Sequence, residues 1–82
     1  MLKVSVVSPE ATLYEGNATS VVAPAFDGEV GILTSHAPMI TVLGQGTLRV
    51  EGESPARFAV SGGFVQVVDD NVRVVTEKAT AL

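Results

Sequence analysis

Eighty-two residues make one domain, and a chain this short buries only about 60% of the surface its unfolded form exposes, so packing against a partner would add to its stability. There is no cysteine and the net charge is −4, which excludes disulfides and Cys-based metal or redox sites and argues against nucleic acid or anionic lipid as a binding surface. Apolar residues make up 46% of the chain, too many for disorder, yet no apolar run approaches the roughly 20 residues of a membrane helix. The N-terminus MLKVSVVSPE lacks the basic region, long apolar stretch and cleavage site of a signal peptide. The expectation is folding in the cytoplasm or an equivalent compartment.

Valine is the commonest residue, and β-signals dominate. Leu2 to Val7 alternates, with Leu2, Val4 and Val6 on one face and Lys3, Ser5 and Val7 on the other. Ser8-Pro9 ends that strand, because proline has no N–H for the ladder. Thr12 to Glu15 is a second extended piece, with a turn expected at Gly16-Asn17. Thr19 to Ala23 is a third, closed by Pro24. The turn Phe26-Asp27-Gly28 leads into Glu29 to Leu33, and Met39 to Leu43 is a fifth strand. Gly44-Gln45-Gly46 connects to Thr47 to Glu51. The loop Gly52 to Pro55 then leads to Arg57 to Ser61. Gly62-Gly63 marks a bulge or a close backbone approach. Phe64 to Val68 continues, Asp69-Asp70-Asn71 turns the chain, and Val72 to Glu77 is the last strand. Only Lys78 to Leu82 could begin a helix. Turns at this spacing predict an all-β sandwich or barrel. Val7, Val21 or Val22, and Val75 fall on faces that should be wet. They are candidates for a covered interface, although scattered apolar surface residues are also normal.

The stretch Phe26 to Val50 carries the only histidine, His36, and four of the glycines. It holds no recognisable chemistry. A zinc site needs three or four ligands, and His36 has no second histidine or cysteine to join it. The plainer reading of His36 is a loop residue that hydrogen-bonds the backbone ahead of Pro38, or a contact to a partner. Ser35 or Ser61 with His36 and Asp27 could be written as a triad, but the G-x-S-x-G elbow is absent. No phosphate loop exists, since neither Lys3 nor Lys78 follows a glycine. Asp69-Asp70 and Glu51 with Glu53 read as turn formers, and Glu29 as an exposed loop charge or a contact. No catalytic residue, metal or cofactor is expected.

The segment Gly28-Glu29-Val30-Gly31-Ile32-Leu33, followed by His36-Ala37-Pro38-Met39-Ile40-Thr41, resembles the signature of the epsilon subunit of the rotary F-type ATP synthase, roughly G-x-x-G-I-x-P-G-H-A-P-x-x-T. Three further segments are similar to that family in the same order. They are Val6 to Glu10 with Leu13 to Gly16, Gly46 to Val50, and Ser61 to Val67 followed by Asn71-Val72 and Val74. Together they span nearly the whole chain. Two departures stand out. Thr34-Ser35 replaces the family's Pro-Gly, which predicts an altered turn, since serine takes positive φ poorly. The family's pair of C-terminal helices has no counterpart before Leu82, so no inhibitory switch and no nucleotide binding are expected of this chain.

The resemblance implies a flattened β-sandwich of about ten short strands over residues 1–82. It implies a non-catalytic rotor subunit at the foot of the central stalk, coupling proton flow to ATP synthesis. Its partners would be the gamma subunit and the c-ring, with the α/β assembly only indirectly and no nucleic acid. It would lie peripherally at the cytoplasmic face of the bacterial plasma membrane. The family's ring-facing positions map onto Glu29 and His36, and its gamma-facing positions onto Ser8, Thr41, Gln45 and Thr47. The alternative is a biotinyl- or lipoyl-type carrier domain of similar size. That needs a lysine at a hairpin tip, and neither Gly52–Pro55 nor Asp69–Asn71 supplies one.

Overall fold

A computed structural model describes residues 1–82. It contains strands and no helix: β1 (Leu2–Val7), β2 (Thr12–Ala18), β3 (Ser20–Ala25), β4 (Gly28–Leu33), β5 (Met39–Val42), β6 (Gln45–Glu51), β7 (Ala56–Val68) and β8 (Asn71–Ala81). The hydrogen-bonded order is β2-β1-β8-β7-β6-β3-β4, with β5 also on β7.

The two long strands explain how one continuous sheet becomes a sandwich. The first half of β7 pairs with β6 through Ala56 to Ser61, and its second half pairs with β5 through Phe64 to Val67. Likewise Asn71 to Val75 of β8 pairs with β1, while the rest of β8 pairs only with β7. One layer is therefore β2, β1, the start of β8, the end of β7 and β5. The other is the end of β8, the start of β7, β6, β3 and β4. Counted this way the eight strands make ten strand segments, which agrees with the expected sandwich. The overall extents are 27 × 26 × 18 Å. The short dimension suits two sheets about 10 Å apart with side chains outside.

The crossing from layer to layer occurs at Gly62-Gly63. The β7–β8 register runs through it without slipping, from Phe58 opposite Ala81 to Val68 opposite Asn71. No bulge is present; the close approach is. Gly63 has φ 106, and a Cβ on it would collide with the Val75 carbonyl oxygen and lie 2.7 Å from Thr76 Cα. The inward-facing parity changes here: Phe58 and Val60 are buried before it, Val65 and Val67 after it. The opposing strand changes with it, from Val72, Val74 and Thr76 to the half-buried Ala79. Thr76 is the one buried polar side chain in the strand, and its hydroxyl donates to the Lys78 carbonyl at 2.8 Å.

The core is a single cluster drawn from both layers. It includes Leu2, Val4 and Val6 of β1, Val21 and Ala23 of β3, Ile32, Leu48 and Val50, and the valines of β7 and β8. Tyr14 closes one side, its ring edge-on to Phe58 at 6.3 Å and its hydroxyl donating to the Ser54 carbonyl at 2.7 Å.

Three expectations are corrected. Gly16-Asn17 is not a turn, because both pair with β1 as Val4 opposite Gly16 and Lys3 opposite Asn17. The chain turns at Thr19, whose N–H donates to Glu51 instead. Pro24 does not end the third strand, which runs on to Ala25. Its missing N–H is tolerated while its carbonyl accepts from Gly44 N–H at 2.8 Å. Lys78 to Ala81 is strand, not the start of a helix, because the first half of β7 offers it a ladder.

Gly63→Ala should destabilise the fold by at least about 3 kcal/mol, from positive φ and overlap together. Gly31→Ala, with no atom within 4 Å of the added Cβ, should shift stability by no more than about 0.5 kcal/mol. Urea denaturation of the two variants checks this; equal effects would contradict the role given to the crossing.

Candidate functional site

Glu29 is the second residue of β4 and is paired with Pro24. It is thus an exposed strand residue, not a loop residue. Its carboxylate lies 4.0 Å from the Arg49 guanidinium, with both side chains well exposed. A pair this open contributes little. His36 lies beyond the far end of β4, and at about 3.3 Å per residue the four steps from Glu29 to Leu33 alone cover roughly 13 Å. The two residues therefore lie toward opposite ends of β4 and do not touch.

His36 follows a tight turn. Its N–H donates to the Leu33 carbonyl at 3.1 Å, closing a turn over Thr34 and Ser35. Ser35 has φ 67, the left-handed position that a type II turn normally gives to glycine. Serine takes it because Asp70 holds it: the Ser35 N–H donates to Asp70 Oδ1 at 2.7 Å. Asp70 belongs to the β7–β8 hairpin, where Asp69 (φ 49) and Asp70 (φ 62) form a turn of the I′ kind. So the substitution of Thr34-Ser35 for Pro-Gly leaves a left-handed residue in the turn, pinned from another strand pair. The His36 ring is half-buried, and its Nδ1 donates to the Ala37 carbonyl at 2.7 Å. That carbonyl can only accept, so Nδ1 carries the proton and Nε2 is available to a partner.

Ser8 caps the end of β1. Its N–H donates to the Ala11 carbonyl at 2.9 Å, and its hydroxyl is 3.3 Å from the same carbonyl and from Ala11 N–H. Thr41 is on β5 opposite the buried Val65, on the inward-facing side. Gln45 and Thr47 are on the outer face of the second layer, opposite Ser61 and Ala59. Lys78 and Thr80 lie between them and Ser8, lining a cleft on either side. The four positions expected to face gamma are therefore not one cluster. Ser8, Gln45 and Thr47 gather around the end of β8, and Thr41 stands apart.

The feature that joins Ser8 to the strand of Thr41 is apolar. On the outside of the first layer Val42 is opposite Phe64, Phe64 opposite Val75, and Val75 beside Val7. These four form one row across the sheet, ending next to Ser8. Val42 is 57% exposed and its neighbour Ile40 66%. Phe26, 69% exposed in the β3–β4 turn, joins the same edge through its N–H bond to the Val42 carbonyl at 3.0 Å. Val7 and Val75 are outward-facing as expected. Of the other pair Val21 is fully buried and Val22 is the outward one. Phe26, Ile40, Val42 and Phe64 were not singled out from the sequence. The available signal was that Met39 to Val42 is apolar at three of its four positions, so one face of β5 had to remain open.

The family model described as ATP synthase, delta/epsilon chain, β-sandwich domain matches residues 1–82. The chain belongs to this family. Its curated relatives include the ATP synthase epsilon chain of Leptospira borgpetersenii, 44% identical over 77 residues, covering 93% of this chain and 61% of that one. The epsilon chain of Rhodopirellula baltica is 49% identical over 75 residues, covering 90% and 59%. The chain thus spans about three-fifths of the length of these relatives. Among solved structures, a chain of the Euglena gracilis mitochondrial ATP synthase (OSCP/F1/c-ring, rotational state 1) superposes with TM-score 0.89 at 24% identity, covering 98% of this chain and 52% of that chain. One from the Tetrahymena thermophila mitochondrial ATP synthase central stalk and c-ring gives 0.84 at 17%, covering 96% and 65%. At these identities the structural likeness establishes the shared sandwich fold.

Ser35→Gly should stabilise the delta/epsilon sandwich by about 1 kcal/mol by relieving the left-handed serine, raising Tm by roughly 4–8 °C. A thermal melt checks this. A lower Tm would mean that the Ser35 side chain itself holds the turn.

Proposed function

We propose that this chain is a non-catalytic part of the rotor of an F-type ATP synthase, held between the gamma subunit and the c-ring, where it helps couple proton translocation to ATP synthesis. Family membership supports the complex. The apolar row Val42-Phe64-Val75-Val7 is the observation that supports a protein partner on the first layer, and gamma is the partner assigned to it. Ser8 and β5 bracket that row. Ser8 is a contact at its end, and Thr41 acts by seating β5 so that Ile40 and Val42 face outward. Gln45 and Thr47 meet the same partner where it reaches around Lys78.

The ring-facing end is assigned to Glu29 and His36. They offer a carboxylate and a free Nε2 along the β4 flank, which suits the polar loops of a membrane ring better than its lipid. A stable protein interface takes about 800 Å² from each partner, and one broad face of a body 27 × 26 Å across is of that size. A rigid packed sandwich transmits strain instead of absorbing it, as a torque-bearing spacer requires. The protein would be peripheral to the membrane, at the cytoplasmic face in a bacterium. The carrier-domain alternative is not favoured, since both hairpin tips lack lysine.

Co-elution with purified gamma on a sizing column tests this reading. The chain should form a one-to-one complex, and Val75→Asp should weaken it at least tenfold, because a charge desolvated in an apolar contact costs more than the roughly 1.4 kcal/mol that a factor of ten represents. Its circular dichroism should be unchanged. Failure of the folded wild-type chain to bind gamma would overturn the assignment of that face. Glu29→Lys should leave gamma binding intact and weaken attachment to a c-ring. Unchanged attachment would remove Glu29 from the contact.

A further inference from the structure

Two of the chain's five cationic side chains are placed directly against each other. Arg49 of β6 and Arg57 of β7 are register partners in an antiparallel pair. Both point to the outside of the second layer, with Cβ atoms about 4.5–5.5 Å apart. Like charges placed opposite one another destabilise a sheet. The surroundings offset this poorly. Arg49 has the single long contact to Glu29, and Arg57 has no ion-pair partner. Neither guanidinium donates a hydrogen bond to any protein acceptor. In a chain of net charge −4, this is a local positive site with its donors open.

Beside the pair runs a groove of about 460 Å³. Pro55 and Ala56 give it an apolar wall, and Val50, Glu51 and Leu82 complete its lining. Each guanidinium presents a planar fork of donors that fits a carboxylate by two parallel bonds. Two forks side by side on neighbouring strands fit two carboxylates on one extended chain, whose intervening side chains would lie on Pro55 and Ala56.

We propose that the Arg49–Arg57 pair is a docking site for an acidic segment of a protein partner, one carboxylate to each guanidinium. The inference stands on the arginine pair and does not depend on which subunit covers the opposite layer. It also gives the unfavourable cross-strand contact a reason: the repulsion is relieved on binding.

The test is an NMR titration of the isotope-labelled chain with an oligoglutamate peptide at low salt. Saturable shifts should centre on the Arg49 and Arg57 Nε groups and on the amides of Val50 and Ala56. Arg57→Gln should weaken the affinity by at least about tenfold, as loss of a bidentate charged contact implies. Arg57→Gln should melt no lower than the parent chain, because it also removes the like-charge contact. Arg73→Gln, which removes the same charge from the outside of the first layer, should leave the affinity unchanged. Equal weakening by Arg73→Gln would reduce the effect to net charge and overturn the site. Pyrophosphate binding the pair as tightly as the peptide would replace the acidic segment with a small anion and overturn the proposed occupant.

Discussion

At Gly63 the β7 backbone runs so close to β8 that no side chain fits between them. The rest of the architecture depends on that contact. Because the two strands stay in register through it, one ribbon can serve both layers, and the sheet folds over with only the Gly62–Glu77 pair missing from the ladder, the Gly62 N–H donating instead to the Gly44 carbonyl at 3.3 Å. Because the inward parity changes there, each half of the ribbon presents apolar side chains to the same core. The price is conformational: positions 62 and 63 both require positive φ, which glycine alone takes without strain.

The surfaces follow from this arrangement. Splitting the ribbon between two layers leaves β5 as a short strand whose only strand partner is β7, with Ile40 and Val42 on its open face. The same rolled ribbon aligns Phe64, Val75 and Val7 with Val42, making a continuous apolar row from residues far apart in sequence. The other layer presents small and cationic residues: Thr47, Ala59 and Thr80 with Arg49, Arg57 and Lys78. The two broad faces therefore suit different partners, one recognised by burial and the other by charge. The edge strand β4 carries Glu29 near one end and leads to His36 beyond the other, and the loop before His36 is fixed from the β7–β8 hairpin by Asp70.

Much of this was legible in the chain. Strict alternation in Leu2 to Val7 gave the strand and its buried face, and Gly62-Gly63 marked a bulge or a close approach, of which the structure holds the second. What escaped was anything set by non-local pairing. Gly16-Asn17 has turn chemistry, yet β1 supplies a ladder that overrides it. Lys78 to Ala81 has no β-signature of its own and is strand because β7 pairs with it. Ser35 was expected to disturb its turn, and the sequence could not show that Asp70, 35 residues away, would hold it. Glu29 and His36, the positions proposed to face the ring, were legible through family resemblance, but their separation along β4 was not. The apolar row was half legible, since Val7 and Val75 stood out while Phe64 and Val42 needed the register to join them.

The central claim is that the outer face of the first layer is the one gamma covers. Carbene footprinting of the chain, free and bound to purified gamma, measures this side chain by side chain. The account predicts that Val7, Val42, Phe64 and Val75 become protected together while Arg49 and Arg57 stay labelled. Protection centred on Arg49 and Arg57, with the apolar row still labelled in the complex, would contradict it.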